Sequence, residues 1–346
     1  MTDVRDRGAP GDSLRAVRTI KLSTVDAFVV VDLDDAPVAT GIVRQGPKIL
    51  PSGAEDLARS LTYTFASLGM NRGGASAGIN APDDAKADAI AAFVAEVKGM
   101  GGSVLLDPGK GVTAADLAPL AANDPRVALS GAQRDALVAA GACAAAEQVL
   151  GSLSGAKVAI EGFGPSTKAL VQRLTTAGAT IVGLSTAKGS VRKADGFTSD
   201  ELLQGAALVG EGADPAFKVL GVDCDVLFAG SKTGAIDHKG APFITAKAVV
   251  PTAAIPVTAK ALAALRRAGV AVLPDFVTLA GPVLAQWGAA GRTDAELSVE
   301  TVTAVKGILD DVAGHADGPL LAACARAEAH LATWRATLPF GRPLAA

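Results

Sequence analysis

Apolar and polar positions recur along this chain in two rhythms, and the balance between them changes near residue 135. Val25–Asp32, VDAFVVVD, is a β-branched and aromatic run that predicts a strand, and Val38–Val43 predicts its partner after the turn DLDDAP. Over Ser52–Gly69 the spacing of Ala54, Leu57, Leu61 and Phe65 predicts one apolar face of a helix. Asp83–Met100 predicts a second amphipathic helix, with Ala87, Ile90, Phe93, Val94 and Val97 inward and Gly101–Gly102 as its stop. Between these helices lies GGASAGIN, Gly73–Asn80, whose glycines predict a tight turn with Ser76 at its centre. Ser103–Asp107 reads as a strand, PGKG as the turn after it, and Thr113 as an N-cap with Asp116 three residues on.

Beyond this point long helices give way to repeated strand–helix units. Asp135–Leu153 is an alanine-rich helix closed by a Gly/Ser turn. The strand-sized runs AKVAIEGF, TIVGLST, DVLFAG, KAVV and VAVLPD follow, with helical stretches such as Ser166–Ala177 and Thr258–Ala268 among them. Such units imply a parallel sheet covered by helices on both faces. Ser298–Arg335 returns to an amphipathic helical pattern, and residues 1–18 read as a frayed arm. The fold class is therefore α/β with two domains: an N-terminal α/β substrate and oligomerisation domain over 1–134, completed by C-terminal helices at 298–346, and a Rossmann-type nucleotide-binding domain over 135–297.

Composition narrows the functions. Hydrophobic residues are 49% of the 346 and charged ones 19%, with a net charge of −3, which supplies two cores and no basic face for nucleic acid. No apolar run is long enough to span a membrane. The three cysteines, Cys143, Cys224 and Cys324, have neither metal nor disulfide spacing, so no metal is expected and the protein is expected in the cytoplasm.

The most informative motif is VAIEGFGPSTK, Val158–Lys168, in which a strand ends at Glu161 and a helix opens near Ser166. Gly162, Phe163, Gly164, Pro165, Ser166 and Thr167 form the turn that would cradle a pyrophosphate, with Thr167 in place of a third glycine. The next strand ends on Ser185 and Thr186, followed by Lys188, Arg192 and Lys193. With no carboxylate there to hold a ribose 2′-hydroxyl, NADP is favoured over NAD.

These residues resemble the glutamate/leucine/phenylalanine/valine dehydrogenases, from about Val25 to Trp287. VAIEGFGPSTKALVQRLTTAGATIVGLSTAKGSV is similar to that family's cofactor segment, and DVLFAG, KAVVPTAAIPVT and VLPDFVTLAGP stand in family order. The resemblance adds Ala229, Gly230 and Ala254 to the cofactor residues and implies a homo-oligomer built through the N-terminal domain. It also places the family's lysines at Ser76 and Thr64, its catalytic aspartate at Gly109, asparagines at Ala254 and Leu279, and a substrate-site serine at Gln286. None of these positions keeps the family's residue.

Oxidative deamination needs a base to activate water and cations for the substrate carboxylate. Arg72 and Lys110 are the cations expected beside Ser76 and Thr64 in a substrate site for a small molecule. His238, His315 and His330 receive no role, and Trp287 and Trp334 are expected to pack. Three readings follow. The first is an NAD(P)-dependent oxidoreductase acting on a non-amino-acid substrate, such as a C–N methylene group on a one-carbon pterin carrier. The second is a true amino-acid dehydrogenase with its catalytic groups elsewhere. The third is a nucleotide-binding sensor or partner subunit without catalysis.

Overall fold

The computed structural model describes residues 17–210, 212–338 and 341–345. Of the arm expected at 1–18, only Val17 and Arg18 lie among them, and Arg18 already begins a strand. The chain divides into two compact units: 1–62, 71–124 and 331–342 in the first, and 63–70, 125–330 and 343–346 in the second.

The first unit is built on a five-stranded sheet of order β1-β2-β4-β3-β5, from β1 (Arg18–Lys21), β2 (Ala27–Val31), β3 (Ala39–Gly46), β4 (Gly73–Asn80) and β5 (Val104–Pro108). β3 does not pair with β2, as the sequence suggests it should. β4 lies between them, antiparallel to β2 and parallel to β3. GGASAGIN is that central strand and not a turn: none of its glycines has a positive φ, and Gly73 to Ile79 are all buried.

Its small residues answer a different need. Helix α1 (Pro51–Ser67) crosses β4 so closely that a Cβ on Gly74 would lie 1.9 Å from the Ala58 carbonyl oxygen. Close approach also explains why Ala58 and Thr62 are buried on α1 while Leu57 and Leu61, the residues expected inward, are only half-buried. The opposite face packs Val29, Val31, Val43, Ala75, Ala77, Ile79 and Leu106 against Ile90, Phe93, Val94 and Val97 of α2 (Lys86–Lys98). α3 (Ala114–Leu117) opens with the capping box expected of Thr113 and Asp116.

The second unit carries a six-stranded sheet of order β11-β10-β9-β6-β7-β8. Its strands are β6 (Lys157–Glu161), β7 (Thr180–Thr186), β8 (Gly189–Arg192), β9 (Val226–Ala229), β10 (Ala248–Pro251) and β11 (Ala271–Val272). All neighbours are parallel except β7 and β8, which form an antiparallel hairpin. The helices are α4 (Gly131–Leu150), α5 (Thr167–Thr176), α6 (Ser199–Leu203), α7 (Ala259–Arg267), α8 (Asp275–Thr278), α9 (Ala280–Trp287), α10 (Asp294–Asp311) and α11 (Gly318–Leu331).

The segment expected as one helical stretch at 298–335 is two helices, interrupted at Gly314 with φ +71°. Both fall in the second unit, and only 331–342 joins the first. Side chains account for this: Lys306 pairs with Glu147 at 2.9 Å, and Gln133 donates to Asp294 at 2.8 Å, tying α10 to α4. No described helix is long and apolar enough to cross a membrane.

Candidate active site

β6 and β9 are neighbours from which the chain departs in opposite directions, β7 on one side and β10 on the other. In an open parallel sheet the crevice at such a switch, beyond the carboxyl ends of the strands, is where ligands lodge. The turn from β6 to α5 stands there. Gly162 has φ +93°, and a Cβ on it would fall 2.6 Å from the backbone of Ser231, so only glycine fits. Gly164 differs: a Cβ there meets nothing within 4 Å. The protein leaves that side of the loop open, next to the first turn of a ten-residue helix whose N-terminus carries partial positive charge.

Hydroxyls brace the turn. Thr167, 6% exposed in the third-glycine position, accepts the Gly164 N–H on Oγ1 at 2.9 Å. Ser185 accepts the Gly162 N–H on Oγ at 3.0 Å, so it supports the turn from β7 and does not face outward. Thr186 accepts the Lys188 N–H at 3.1 Å. Lys193 is taken up by Glu201 at 2.9 Å, while Lys188 and Arg192 are exposed. Phe163 turns its ring toward Gly205, while Pro165 is exposed and Ser166 half-buried.

Sequence reasoning missed two further features of this edge. The Glu161 carboxylate reaches across to β9 and accepts the N–H groups of Gly230 and Ser231, each at 3.1 Å, just past Ala229. After β10, Ala254 leads into Ile255, which has φ 53° and donates its N–H to the buried Asp275 at 3.0 Å. Positive φ in a β-branched residue is strained backbone, held here by that carboxylate.

Alternation also defines the other face of the first sheet, on which Phe28 and Val30 of β2 pack with Ala54 and Ala58 of α1. Because Val43, Ala75, Ala77 and Leu106 point to the α2 side, Thr40, Ile42, Arg44, Ser76 and Asp107 point to the other. Ser76 is 0% exposed at mid-strand, opposite Ile42, and its hydroxyl has no hydrogen-bond partner among the described residues. Arg72 precedes β4 and Lys110 follows β5, whose carbonyl accepts the Gln45 N–H at 2.8 Å. β3 separates them by six residues of extended chain, roughly 20 Å at ~3.3 Å per residue. The two cations therefore stand at opposite ends of the sheet.

Arg72 is half-buried, and desolvation holds its pKa below the ordinary 12.5, whereas Lys110 is exposed. Thr64 belongs to the second unit and is 3% exposed on α1. His238 and His315 are exposed, and Trp287 packs edge-on against Phe65 at 6.3 Å. Among the described residues no group of His, Cys, Asp and Glu is arranged to hold a metal. The buried thiols of Cys143 and Cys224 are pushed up to about 12 by desolvation, which makes both poor nucleophiles at neutral pH.

Residues 133–287, which contain this turn and crevice, match the family model described as Glutamate/Leucine/Phenylalanine/Valine dehydrogenase. Over these residues the chain is similar to that family. The NADP-specific glutamate dehydrogenase of Saccharolobus shibatae is 31% identical over 150 residues, 41% of this chain and 36% of that protein. The NAD-specific glutamate dehydrogenase of Staphylococcus aureus is 32% identical over 160 residues, 43% and 39% of the two chains. The match thus spans well under half the length of these curated relatives. Solved structures share the fold over most of the chain. A hetero-hexameric glutamate dehydrogenase from Thermus thermophilus, in a Leu-bound form, has a TM-score of 0.75 at 22% identity, covering 90% of this chain and 86% of that one. An L-tryptophan dehydrogenase from Nostoc punctiforme has a TM-score of 0.64 at 20% identity, covering 92% and 95%.

Position 109 of this chain has no room for an acid. A Cβ on Gly109 would stand 2.8 Å from the Val43 carbonyl oxygen and 3.0 Å from Arg44 Cγ. Ser76 is likewise walled in. Because its hydroxyl is buried and unpaired, Ser76→Ala is expected to leave stability unchanged or raise it by about 1 kcal/mol. A thermal unfolding scan of the two proteins measures this, and a clear loss of stability would show a hydroxyl partner.

Proposed function

We propose that this protein binds NAD(P) at the β6–α5 turn and transfers hydride at a carbon bonded to nitrogen. The observation that carries the reading is the pairing of Gly162, which admits no side chain, with Gly164, whose open side faces no protein atom, at the head of α5. The residues fit a dinucleotide: the partial positive charge at the N-terminus of α5 suits the pyrophosphate, and the relatives include NADP-specific and NAD-specific enzymes. Lys188 and Arg192, with no carboxylate at the tip of β7, favour NADP.

The bound nicotinamide supplies the hydride chemistry, and the chain's own task is to hold and orient. The positions that the family resemblance gives to lysine and aspartate carry Ser76, Thr64 and Gly109. No side chain there relays a proton near neutral pH. A C–N methylene group on a pterin carrier, which needs no strong base, therefore suits this chain better than deamination of an amino acid. Likeness to a hetero-hexameric assembly favours a second reading, a nucleotide-binding partner subunit beside a catalytic one.

Gly164→Ala tests the cofactor site cleanly. Position 164 has no left-handed φ and no neighbour for a methyl group, so stability is expected to stay within about 0.5 kcal/mol. The methyl group lies where the backbone approaches phosphate, so NADPH affinity, read by its fluorescence, is expected to fall about tenfold or more. Equal affinity of the two proteins overturns the proposed site. Absorbance of reduced nicotinamide with L-amino acids and with methylene-pterins then separates the substrates. Turnover of an L-amino acid overturns the pterin preference, and tight NADPH binding with no turnover on either panel supports the partner subunit.

A further inference from the structure

We infer that Asp275 is a positioning residue for the cofactor: through the strained bend at Ile255 it holds Thr252–Ala254 where the nicotinamide half of a dinucleotide passes. The inference rests on the cofactor reading above and adds to it a residue remote in sequence from the glycine turn.

The chain leaves β10 at the carboxyl edge of the sheet, and α8 grips the departing segment at both ends. Thr278 donates from Oγ1 to the Pro251 carbonyl at 2.9 Å, and Asp275 accepts the Ile255 N–H on Oδ2 at 3.0 Å. Pro251 and Ile255 are buried, as are Thr278 and Asp275, whereas Thr252, Ala253 and Ala254 between the two grips are half-buried. The Thr252 N–H donates to the Ala229 carbonyl at 2.8 Å. The N–H groups of Ala253 and Ala254 and the carbonyls of Thr252, Ala253 and Ala254 have no hydrogen-bond partner among the described residues. A short bow of backbone, with donors and acceptors both open, is thus stretched between two fixed ends.

The bow stands beside the glycine turn. A Cβ on Gly230, just past β9, would lie 2.1 Å from Thr252 Oγ1, and the Gly230 N–H is itself held by Glu161, the residue before Gly162. In a dinucleotide fold the adenosine ribose is held at the tip of the second strand, here β7, and the pyrophosphate at the first turn. The other half of the cofactor then extends over β9 and β10, on the far side of β6 from β7.

The bend itself is built at a cost. Among the described residues Ile255 is the one non-glycine with a positive φ, 53°, a conformation that its β-branched side chain disfavours. Glycine would make the same bend without strain, and a neutral acceptor would satisfy one N–H without burying a carboxylate. Strain kept beside a ligand crevice and held by a buried group is the pattern of a preorganised site. Beyond the bend the chain is fixed separately: the Ile255 carbonyl accepts the Gly234 N–H at 2.9 Å, and the Pro256 carbonyl accepts that of Ile236 at 2.8 Å. Loss of Asp275 therefore releases the bow and leaves the following segment in place.

The test uses the full chain as wild type, Asp275→Ala, Asp275→Asn and the double variant Asp275→Ala with Ile255→Gly. Each is titrated with NADPH and NADH, and with 2′-phospho-ADP-ribose and ADP-ribose, the same molecules without nicotinamide. The tighter cofactor is compared with its own fragment. The wild type is expected to bind that cofactor about tenfold more tightly than the fragment. Asp275→Ala is expected to lose most of this difference, while its affinity for the fragment, which reports a folded glycine turn, stays within about twofold of wild type. Asp275→Asn keeps an acceptor for the Ile255 N–H and is expected to keep the difference. The double variant is expected to regain part of it, because glycine takes the bend without strain. Equal loss of cofactor and fragment in Asp275→Ala, or no loss of either, overturns the inference and leaves the cofactor site standing. Failure of both rescuing variants does the same, as does a wild type that binds fragment and cofactor equally. A wild type that binds none of the four ligands overturns the cofactor reading and this inference with it.

Discussion

Asp32→Ala is expected to destabilise the protein by roughly 3–5 kcal/mol, the cost of leaving a buried guanidinium without its counter-ion. Asp32 is 0% exposed and Arg59 6%. Arg59 donates from Nε to both carboxylate oxygens, at 2.7 and 2.9 Å, and from Nη2 to Oδ1 at 2.7 Å. Its Nη1 donates to the Gly341 carbonyl at 2.6 Å, so the pair also fixes the C-terminal segment on the first unit. Asp32 further offsets the desolvation of Arg335, whose pKa burial otherwise lowers. Removing the carboxylate leaves Arg59 without its counter-ion and takes a favourable charge from Arg335, which keeps its pairing with Asp35. Urea denaturation gives the change from the shift in midpoint at constant slope. Replacing both partners, as in Asp32→Leu with Arg59→Met, is expected to recover most of the loss, because no buried charge remains. A single-variant loss below about 1 kcal/mol would mean that water reaches the pair.

Gly74→Ala is the second large effect, about 3 kcal/mol and near the upper end for overpacking. A methyl group would sit 1.9 Å from the Ala58 carbonyl oxygen and 2.8 Å from the Thr62 nitrogen, both backbone atoms of α1. No rotamer change relieves that contact, so the helix must lift from the strand. Lifting also strains the bond by which Gly74 N–H reaches Thr62 Oγ1 at 2.9 Å. Gly53→Ala is the control, since a Cβ there meets nothing within 4 Å and alanine favours the helix by up to ~1 kcal/mol. Equal midpoints for the two variants would refute the close crossing.

Local pattern carried much of the architecture. TIVGLST predicts a strand over Thr180–Thr186, and β7 has those bounds, because a β-branched run closed by turn residues suits few other conformations. Thr113 with Asp116 predicts a cap, and both reciprocal bonds are present. The glycine turn after β6 was equally legible, since it joins a strand to a helix within a dozen residues. GGASAGIN was not. A glycine-rich run allows a turn, and it equally allows a strand that a helix must approach closely; the sequence distinguishes them only through Ala58 and Thr62, on another element.

The amino-acid sequence by itself determined the two-part α/β plan, the order of the parallel strands' building units and the glycine turn after β6, all of which depend on residues a few positions apart. Only the tertiary structure decided that Arg72 and Lys110 stand at opposite ends of one sheet, that Glu161 bridges to β9, that Asp32 neutralises Arg59 and that Arg44 Nε and Nη2 have no hydrogen-bond partner among the described residues. The physical reason is that pairing and burial of charge depend on strand register and helix approach, which bring together residues far apart in the chain.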